Sequence, residues 1–502
     1  MSVFRPNKNT SGLWLSDIAC CRMAGAQYTG IRDAVIGQVE IHEVCKAIVD
    51  TEEFQRLRFI AQCGFGKFVF PTANHTRFEH SLGVCHMAKL ILDCLEKNLD
   101  DDVVVITKED KLCVQIAALC HDLGHGPFSH FWEHFLKEKF DKTFIHEEMS
   151  EKLLDRIYEN HEKVRNVFKK HNLGREELEI AKRMIRGVLP EDKTKNYLYE
   201  IVSNKISGVD VDKLEYLQRD SHQFGMNCFV AIDYLLSTAK IIKLPDGTTT
   251  IAYREKTTYN LLGMFLNRAE MHHRCYQHPV TLAIELMFSG ALKQAADNDF
   301  GIDYKENGQV KRRKIDECHN HLNEYIKLTD DIFMNIYNSL SDSLHEARHI
   351  LKRILHRNIY VLVLKENITK EMNFTDMNYN KLKTIVENSL LKELNNKYNG
   401  QYEFHCKIVV INMGGTSDNP LKNIHFYNKH NEITHQDNYL DARFYSKDSN
   451  FVSKVCFIFC DFGGTQKPSD DTIQAIKKQC REEFDKTFQR KSHVNSFISS
   501  TK

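Results

Sequence analysis

Over residues 76–99, Phe78, Leu82, Val84, Met87, Leu90, Ile91 and Leu95 recur with helical spacing, so this stretch reads as one long amphipathic helix. The same rhythm returns over 41–59, 109–121, 146–160, 176–188, 197–204, 211–220 and 256–290. Only 8 prolines interrupt 502 residues, and Gly124, Gly126 and Pro127 mark one clear stop. The chain is therefore expected to be mainly α. With 42% hydrophobic and 27% charged residues it has enough apolar material for a large core.

After about residue 358 the character changes. Residues 359–364, 407–411, 424–427 and 455–460 are short β-branched or aromatic strand candidates, and 470–488 is a last amphipathic helix. This predicts a tail over 1–30, a helical body over 31–357 and a smaller C-terminal α/β lobe over 358–502. The charged stretch 304–316, with Lys311-Arg312-Arg313-Lys314, reads as a solvated loop more readily than as a nuclear-import signal.

Charge and cysteine usage narrow the partners. Lys plus Arg and Asp plus Glu both number 68, so no global field draws the chain to nucleic acid, which is at most a secondary partner. No apolar run is long enough for a membrane span, and residues 1–10 are too polar for a secretory signal. The 15 cysteines are odd in number and form no C-x-x-C pair, so free thiols in the nucleus or cytoplasm are expected, not a secreted protein.

The 25 histidines crowd between His75 and His146. The adjacent His121-Asp122 offers an imidazole and a carboxylate at a helix end, and the glycines that follow permit a tight turn. A bare His-Asp pair is common by chance, and a lone His80 is more often a satisfied histidine than a ligand. The order His80, His121-Asp122, Asp212 is much harder to obtain by accident. A second pattern places Asp212, Tyr216 and Asp220 on one helix face, and Arg268, His272 and Tyr276 on another. Either stripe alone reads as a solvated face. Together they mix cations with aromatics, which suits a phosphorylated sugar bearing a base.

These residues resemble the HD superfamily of metal-dependent phosphohydrolases. The blocks Phe54-Gln55-Arg56-Leu57-Arg58, Arg77-Phe78-Glu79-His80-Ser81-Leu82-Gly83, His121 through His130, and His273-Arg274-Cys275-Tyr276-Gln277-His278 are similar to the eukaryotic SAM-and-HD-domain deoxynucleoside triphosphate (dNTP) triphosphohydrolases. The resemblance runs from about Ile31 into the C-terminal lobe, so that family's SAM domain is expected to be missing. It implies an HD-domain helical body with one iron, zinc or manganese held by His80, His121, Asp122 and Asp212, and magnesium arriving with the nucleotide. It further implies release of intact triphosphate from the deoxynucleoside. His125 would be the proton donor, supported by His146 and by Glu133, where the family pattern has Asp. Arg77, His130, Lys213 and Arg268 would hold phosphates. Gln62, Cys63, Tyr216, Asp220, His272, Tyr276 and Gln277 would line the rest of the substrate pocket, Cys63 replacing a larger apolar residue.

The resemblance also implies a homotetramer assembled by nucleotides and a role in controlling dNTP pools. A guanine-reading GTP or dGTP site would use Asp50, Gln55, Arg58 and Arg357. A neighbouring dNTP activator site would use Val69, Phe70, Phe78, Arg254, Lys256, Asn260, His278 and Lys429. At that second site Tyr234, Pro279 and Val361 stand where the pattern carries cations, so its affinity is expected to be altered. The competing readings are another HD-superfamily phosphohydrolase or phosphodiesterase, and a non-catalytic nucleotide-sensing scaffold.

Overall fold

The computed structural model describes residues 27–99, 104–368, 379–413, 419–434, 452–463 and 468–499. Most of the expected tail, and Cys20 and Cys21, lie outside them. Helices built from the amphipathic stretches dominate, with a few small sheets. No helix among the described residues is long and apolar enough to cross a membrane.

The Arg77–Lys97 helix is the axis of the body. Thr76 and Glu79 form a capping box at its start, Glu79 Oε1 accepting from Thr76 N at 2.8 Å. Its long apolar face packs on the Lys108–Cys120 and Val211–Gln223 helices, so residues near its N-terminus point into the centre of the body. The Lys108–Cys120 helix has its own capping box from Thr107 and Asp110, and it delivers His121 and Asp122 to the same place.

Four expectations need correction. Residues 28–33 are a strand paired with Gly37–His42, so the hairpin begins inside the expected tail. The 41–59 stretch is not one helix: Ile41 and His42 end that strand, and Thr51 breaks the run between Glu43–Val49 and Glu52–Gln55. The 256–290 stretch divides into Thr258–Met271, a π-helical turn over His272–Tyr276, and Pro279–Asp297. Proline lacks an N–H and is tolerated at the first position of a helix, so Pro279 starts a new one. The charged 304–316 stretch is a two-stranded ribbon, Gly301–Glu306 with Gln309–Lys314. Asn307 and Gly308 turn it with φ of 51° and 78°, the left-handed pair of a tight hairpin.

The C-terminal sheet runs in the order Val361–Asn367, Val452–Asp461, Glu403–Asn412, all antiparallel. Alternation along the central strand divides its work. Cys456, Ile458 and Cys460 face a core with Leu382, Val386, Leu390, Ile476 and Phe484, while Val455, Phe457 and Phe459 pack on Leu282 and Ala283 of the body. The strand His425–Tyr427 leaves this lobe. It pairs in parallel with Thr249–Arg254, and Leu421, Ile424 and Phe426 join the core of the body.

Candidate active site

His80, His121, Asp122 and Asp212 converge from two helices and the turn that ends a third. His80 Nε2 lies 3.3 Å from Asp122 Oδ2 and 3.2 Å from Asp212 Oδ1. His121 Nε2 lies 3.4 Å from the same two oxygens. Both Nε2 atoms are buried and make no hydrogen bond. Ligand bonds of about 2.0–2.2 Å around one cation separate neighbouring donors by roughly 3–3.5 Å, which matches these nitrogen–oxygen spacings. His80, His121 and Asp122 group as potential ligands of one ion, and Asp212 faces both imidazoles, so the residues fit a metal. Their other ring nitrogens are already engaged. His121 Nδ1 is 2.8 Å from Ala118 O and His80 Nδ1 is 2.5 Å from Glu215 Oε2, which fixes each ring with Nε2 inward.

The electrostatics agree. Burial opposes charge on His121, yet Asp122 and Asp212 push its pKa up to about 10. His80 is raised as well, Glu215, Asp122 and Asp212 outweighing its burial. Burial alone would raise Asp122, but Arg77, His121 and His125 hold it well below the usual carboxylate range. The pocket thus concentrates negative charge where a cation belongs.

Glu215 was not singled out by the sequence and has a structural reason to matter. It is fully buried, bonds Arg219 Nε at 2.6 Å, and Arg219 reaches Asp33 Oδ2 at 3.0 Å. Gly83, one turn beyond His80, makes room for it, since a Cβ there would lie 2.1 Å from Glu215 Oε1. Glu215→Gln is expected to lower metal affinity about 10–100-fold, read as metal retained after dialysis against graded chelator. Unchanged retention would mean that the ring of His80 needs no such support.

Beside the quartet, His125 stacks on His146 with centroids 3.9 Å apart and lies 3.2 Å from Asp122 Oδ1 through Nε2. His146 Nδ1 is 2.6 Å from Glu133 Oε1, and His130 Nδ1 is 3.4 Å from Oε2. The longer Glu133 arm therefore reaches both partners. Burial, Arg77 and His146 lower the His125 pKa well below that of free imidazole.

The other side of the pocket is held by Asp220, fully buried, with His75 Nε2 at 2.6 Å on Oδ1 and the Tyr276 hydroxyl donating at 2.6 Å to Oδ2. Cys63 Sγ lies 3.6 Å from His75 Nε2. His75 was missed, because nothing near it in sequence marks its partner. Gln62 Oε1 is buried without a hydrogen bond among the described residues. Arg268 Nε donates to the Tyr216 hydroxyl at 3.1 Å, and its Nη1 reaches Asn412 O in the C-terminal lobe. His272 packs edge-on to Tyr276 at 4.9 Å, its pKa lowered to about 3 by burial and by Arg268. Gln277 N bonds His272 O, and Lys213 Nζ pairs with Asp210 Oδ2 at 2.6 Å.

Three further groups, Arg56 and Tyr325 buried and Asp330 half-buried, build the turn after Asp122. Arg56 donates to Leu328 O, Leu123 O and His125 O, and Tyr325 donates to Gly124 O at 2.7 Å. Asp330 accepts from Phe128 N and Ala61 N, at 2.6 and 2.9 Å. It thereby pins Phe128 and Ser129, whose φ of 56° and 62° are costly for residues with a Cβ.

Of the residues expected at the guanine site, Gln55 and Arg58 are together, and Phe78, expected at the second activator site, lies against them. Arg58 Nε donates to Gln55 Oε1 at 2.8 Å, and its guanidinium lies 3.5 Å over the Phe78 ring. Asp50 pairs with Lys46 and Lys163 nearby on the surface. Arg357 donates to Phe68 O at 2.8 Å, next to Val69. At the second expected site Phe70 meets His278 edge-on, and Arg254 pairs in register with Tyr427, close to Lys429. Lys256 is exposed, while Asn260 bonds both backbone groups of Ala231.

Known proteins share this arrangement of sequence. The HD domain family matches residues 77–202, which contain His80, His121 and Asp122. The chain is 34% identical over 414 residues to the deoxynucleoside triphosphate triphosphohydrolase SAMHD1 of Homo sapiens, covering 80% of this chain and 65% of that protein. The same enzyme of Bos taurus is 36% identical over 80% of this chain and 69% of its own length, and that of Danio rerio is 33% identical over 89% and 72%. The chain thus spans about two thirds of the length of these relatives. Similarity of this extent, over a body whose buried His and Asp residues converge as an HD domain requires, means that the chain belongs to the SAMHD1 family of HD-domain proteins.

Proposed function

We propose that this chain is a dNTP triphosphohydrolase that cleaves its substrate to a deoxynucleoside and intact inorganic triphosphate. The observation that carries the reading is the convergence of His80, His121, Asp122 and Asp212 beside the stacked His125–His146 pair. Those four residues would hold iron, zinc or manganese, which supplies Lewis acidity and a lowered pKa for water at the α-phosphorus. Magnesium would accompany the nucleotide.

The chain's own groups do the rest. Arg77, Lys213 and Arg268 neutralise the phosphates, with His130 at the exposed mouth. His125 would give a proton to the departing 5′-oxygen, its charged form favoured once bound phosphates offset Arg77, and Glu133 would orient it through the stacked His146. Asp220 and Gln62 receive the 3′-hydroxyl, while Tyr216 and Tyr276 wall off the ribose. The Arg58–Gln55–Phe78 group supports GTP or dGTP as activator: a guanidinium and an amide for the edges of the purine, beside an aromatic ring. Assembly of a homotetramer, the second activator site and a role in dNTP pool control belong to the same reading.

Product analysis tests it. Purified protein is incubated with dGTP alone and with dATP plus GTP, and nucleosides and phosphates are separated by ion exchange. Deoxynucleoside with intact triphosphate, and a GTP requirement for dATP turnover, are the expected results. Orthophosphate or pyrophosphate would move attack to another phosphorus and favour a different HD phosphohydrolase. Bound nucleotide without turnover would favour a sensor.

A further inference from the structure

We propose that Cys63, His75 and Asp220 form a second cation site, which takes a thiophilic divalent ion such as Zn2+ at the sugar end of the substrate pocket. An isolated antiparallel bridge between Ala61 and Thr76, with Gln62 N donating to His75 O at 3.1 Å, lays residues 61–63 alongside His75. The Val211–Gln223 helix brings Asp220 to the same point. Cys63 Sγ lies 3.6 Å and Asp220 Oδ1 2.6 Å from His75 Nε2, and donor atoms of all three residues lie within 4.8 Å of one another.

Thiolate, imidazole and carboxylate are the donors zinc selects. Bonds of about 2.3 Å to sulfur and 2.0–2.2 Å to nitrogen and oxygen place tetrahedral neighbours roughly 3.4–3.6 Å apart. The sulfur–nitrogen spacing already meets this, and the nitrogen–oxygen contact meets it after a small opening that replaces their hydrogen bond. Tyr276 donates to the other oxygen of Asp220, an outer partner of the kind that orients a carboxylate ligand. Three protein donors leave a fourth position for water. Binding releases the thiol proton to solvent as the sulfur–metal bond forms, with no change in oxidation state.

The site is distinct from the quartet around His80, which contains no sulfur. Among the described residues, no other cluster of potential ligands includes a thiol. Residue 63 is also a position where this chain departs from the pattern of the family it resembles. An ion here engages Asp220, so zinc inhibits hydrolysis. That consequence rests on the function proposed above, whereas the binding does not.

Cobalt(II) gives a test independent of activity. The full chain, stripped of metal, is titrated with Co2+ while the near-ultraviolet thiolate-to-cobalt charge-transfer band and bound cobalt are followed. Wild type and Asp122→Ala are expected to develop the band. Cys63→Leu and Cys63→Ser, both checked for native circular dichroism, are expected to lose it together with one equivalent of cobalt. Failure of the band in wild type, or its persistence in both Cys63 variants, overturns the proposal. In parallel, Cys63→Leu is expected to need at least about tenfold more Zn2+ than wild type for half-inhibition of dNTP turnover. If no nucleotide is hydrolysed at all, the functional reading fails and the cobalt band still decides the site.

Discussion

Asp122→Ala is expected to abolish dNTP hydrolysis, with turnover falling by at least about 1,000-fold and bound metal lost in parallel. One carboxylate serves four partners. Its Oδ2 faces His80 Nε2 and His121 Nε2 and carries the Arg77 guanidinium, while Oδ1 lies 3.2 Å from His125. Removing it takes away a proposed metal ligand, leaves the buried Arg77 without an anion and frees His125, the proposed proton donor, from its neighbour. An orphaned buried charge costs about 3–5 kcal/mol, so alanine is expected to destabilise the fold as well. Asp122→Asn separates the effects, because it keeps the shape and most of the hydrogen bonding but not the charge. Product chromatography, metal content and thermal unfolding check both variants. Metal-free, inactive and melting between alanine and wild type is the expected result for asparagine, which keeps a hydrogen-bonding oxygen for Arg77 but not the charge; substantial turnover in either variant would remove Asp122 from the reaction.

The second large effect is expected at Gly124, for steric reasons. A Cβ there would lie 2.2 Å from His146 O, 2.4 Å from Ser150 N and 2.8 Å from the carbonyl carbon of Met149. All three are backbone atoms of the helix that carries His146, so no side chain can swing away. Gly124→Ala must push that helix outward, straining Gly124 N to Ser150 Oγ at 2.8 Å and the Tyr325 contact on Gly124 O. Overpacking of this kind costs about 1–3 kcal/mol, and the absence of a yielding neighbour places it at the upper end. A 1 Å shift of a catalytic group can cost about 100-fold in rate, so turnover is expected to fall by that order even in the protein that remains folded. Denaturant unfolding and turnover per folded molecule measure the two parts. A wild-type midpoint would show that the helix has more slack than the contact implies.

The quartet was legible because its residue types and order carry chemistry even when far apart in the chain. Its supports were not. His75 meets Asp220 across 145 residues, and a histidine before a helix cap gives no local sign of such a partner. Glu215 and Arg219 are spaced like an ordinary surface ion pair, yet both are buried, because the hairpin that brings Asp33 closes over them. The fold followed the same logic. Helices with an apolar stripe were visible, and so were the strands of the lobe, whose alternation is strong. The ribbon at 301–314 carries mostly charged and polar side chains, with Ile302 reaching the core, so its periodicity is weak, and the Asn307-Gly308 turn went unread. The break at Pro279 was written in the sequence, but the helical rhythm continues on both sides of it and masks the change of direction.

The parallel pairing of Thr249–Arg254 with His425–Tyr427 has a consequence for biosynthesis. The body cannot complete its own sheet until His425–Tyr427, far downstream in sequence, has been made. While the ribosome is still translating the lobe, Thr249–Arg254 must wait with one edge open, a state in which exposed strand edges invite association with other chains. Every nascent molecule passes through that interval, so the time taken to translate the stretch between the two strands sets how long that edge stays open.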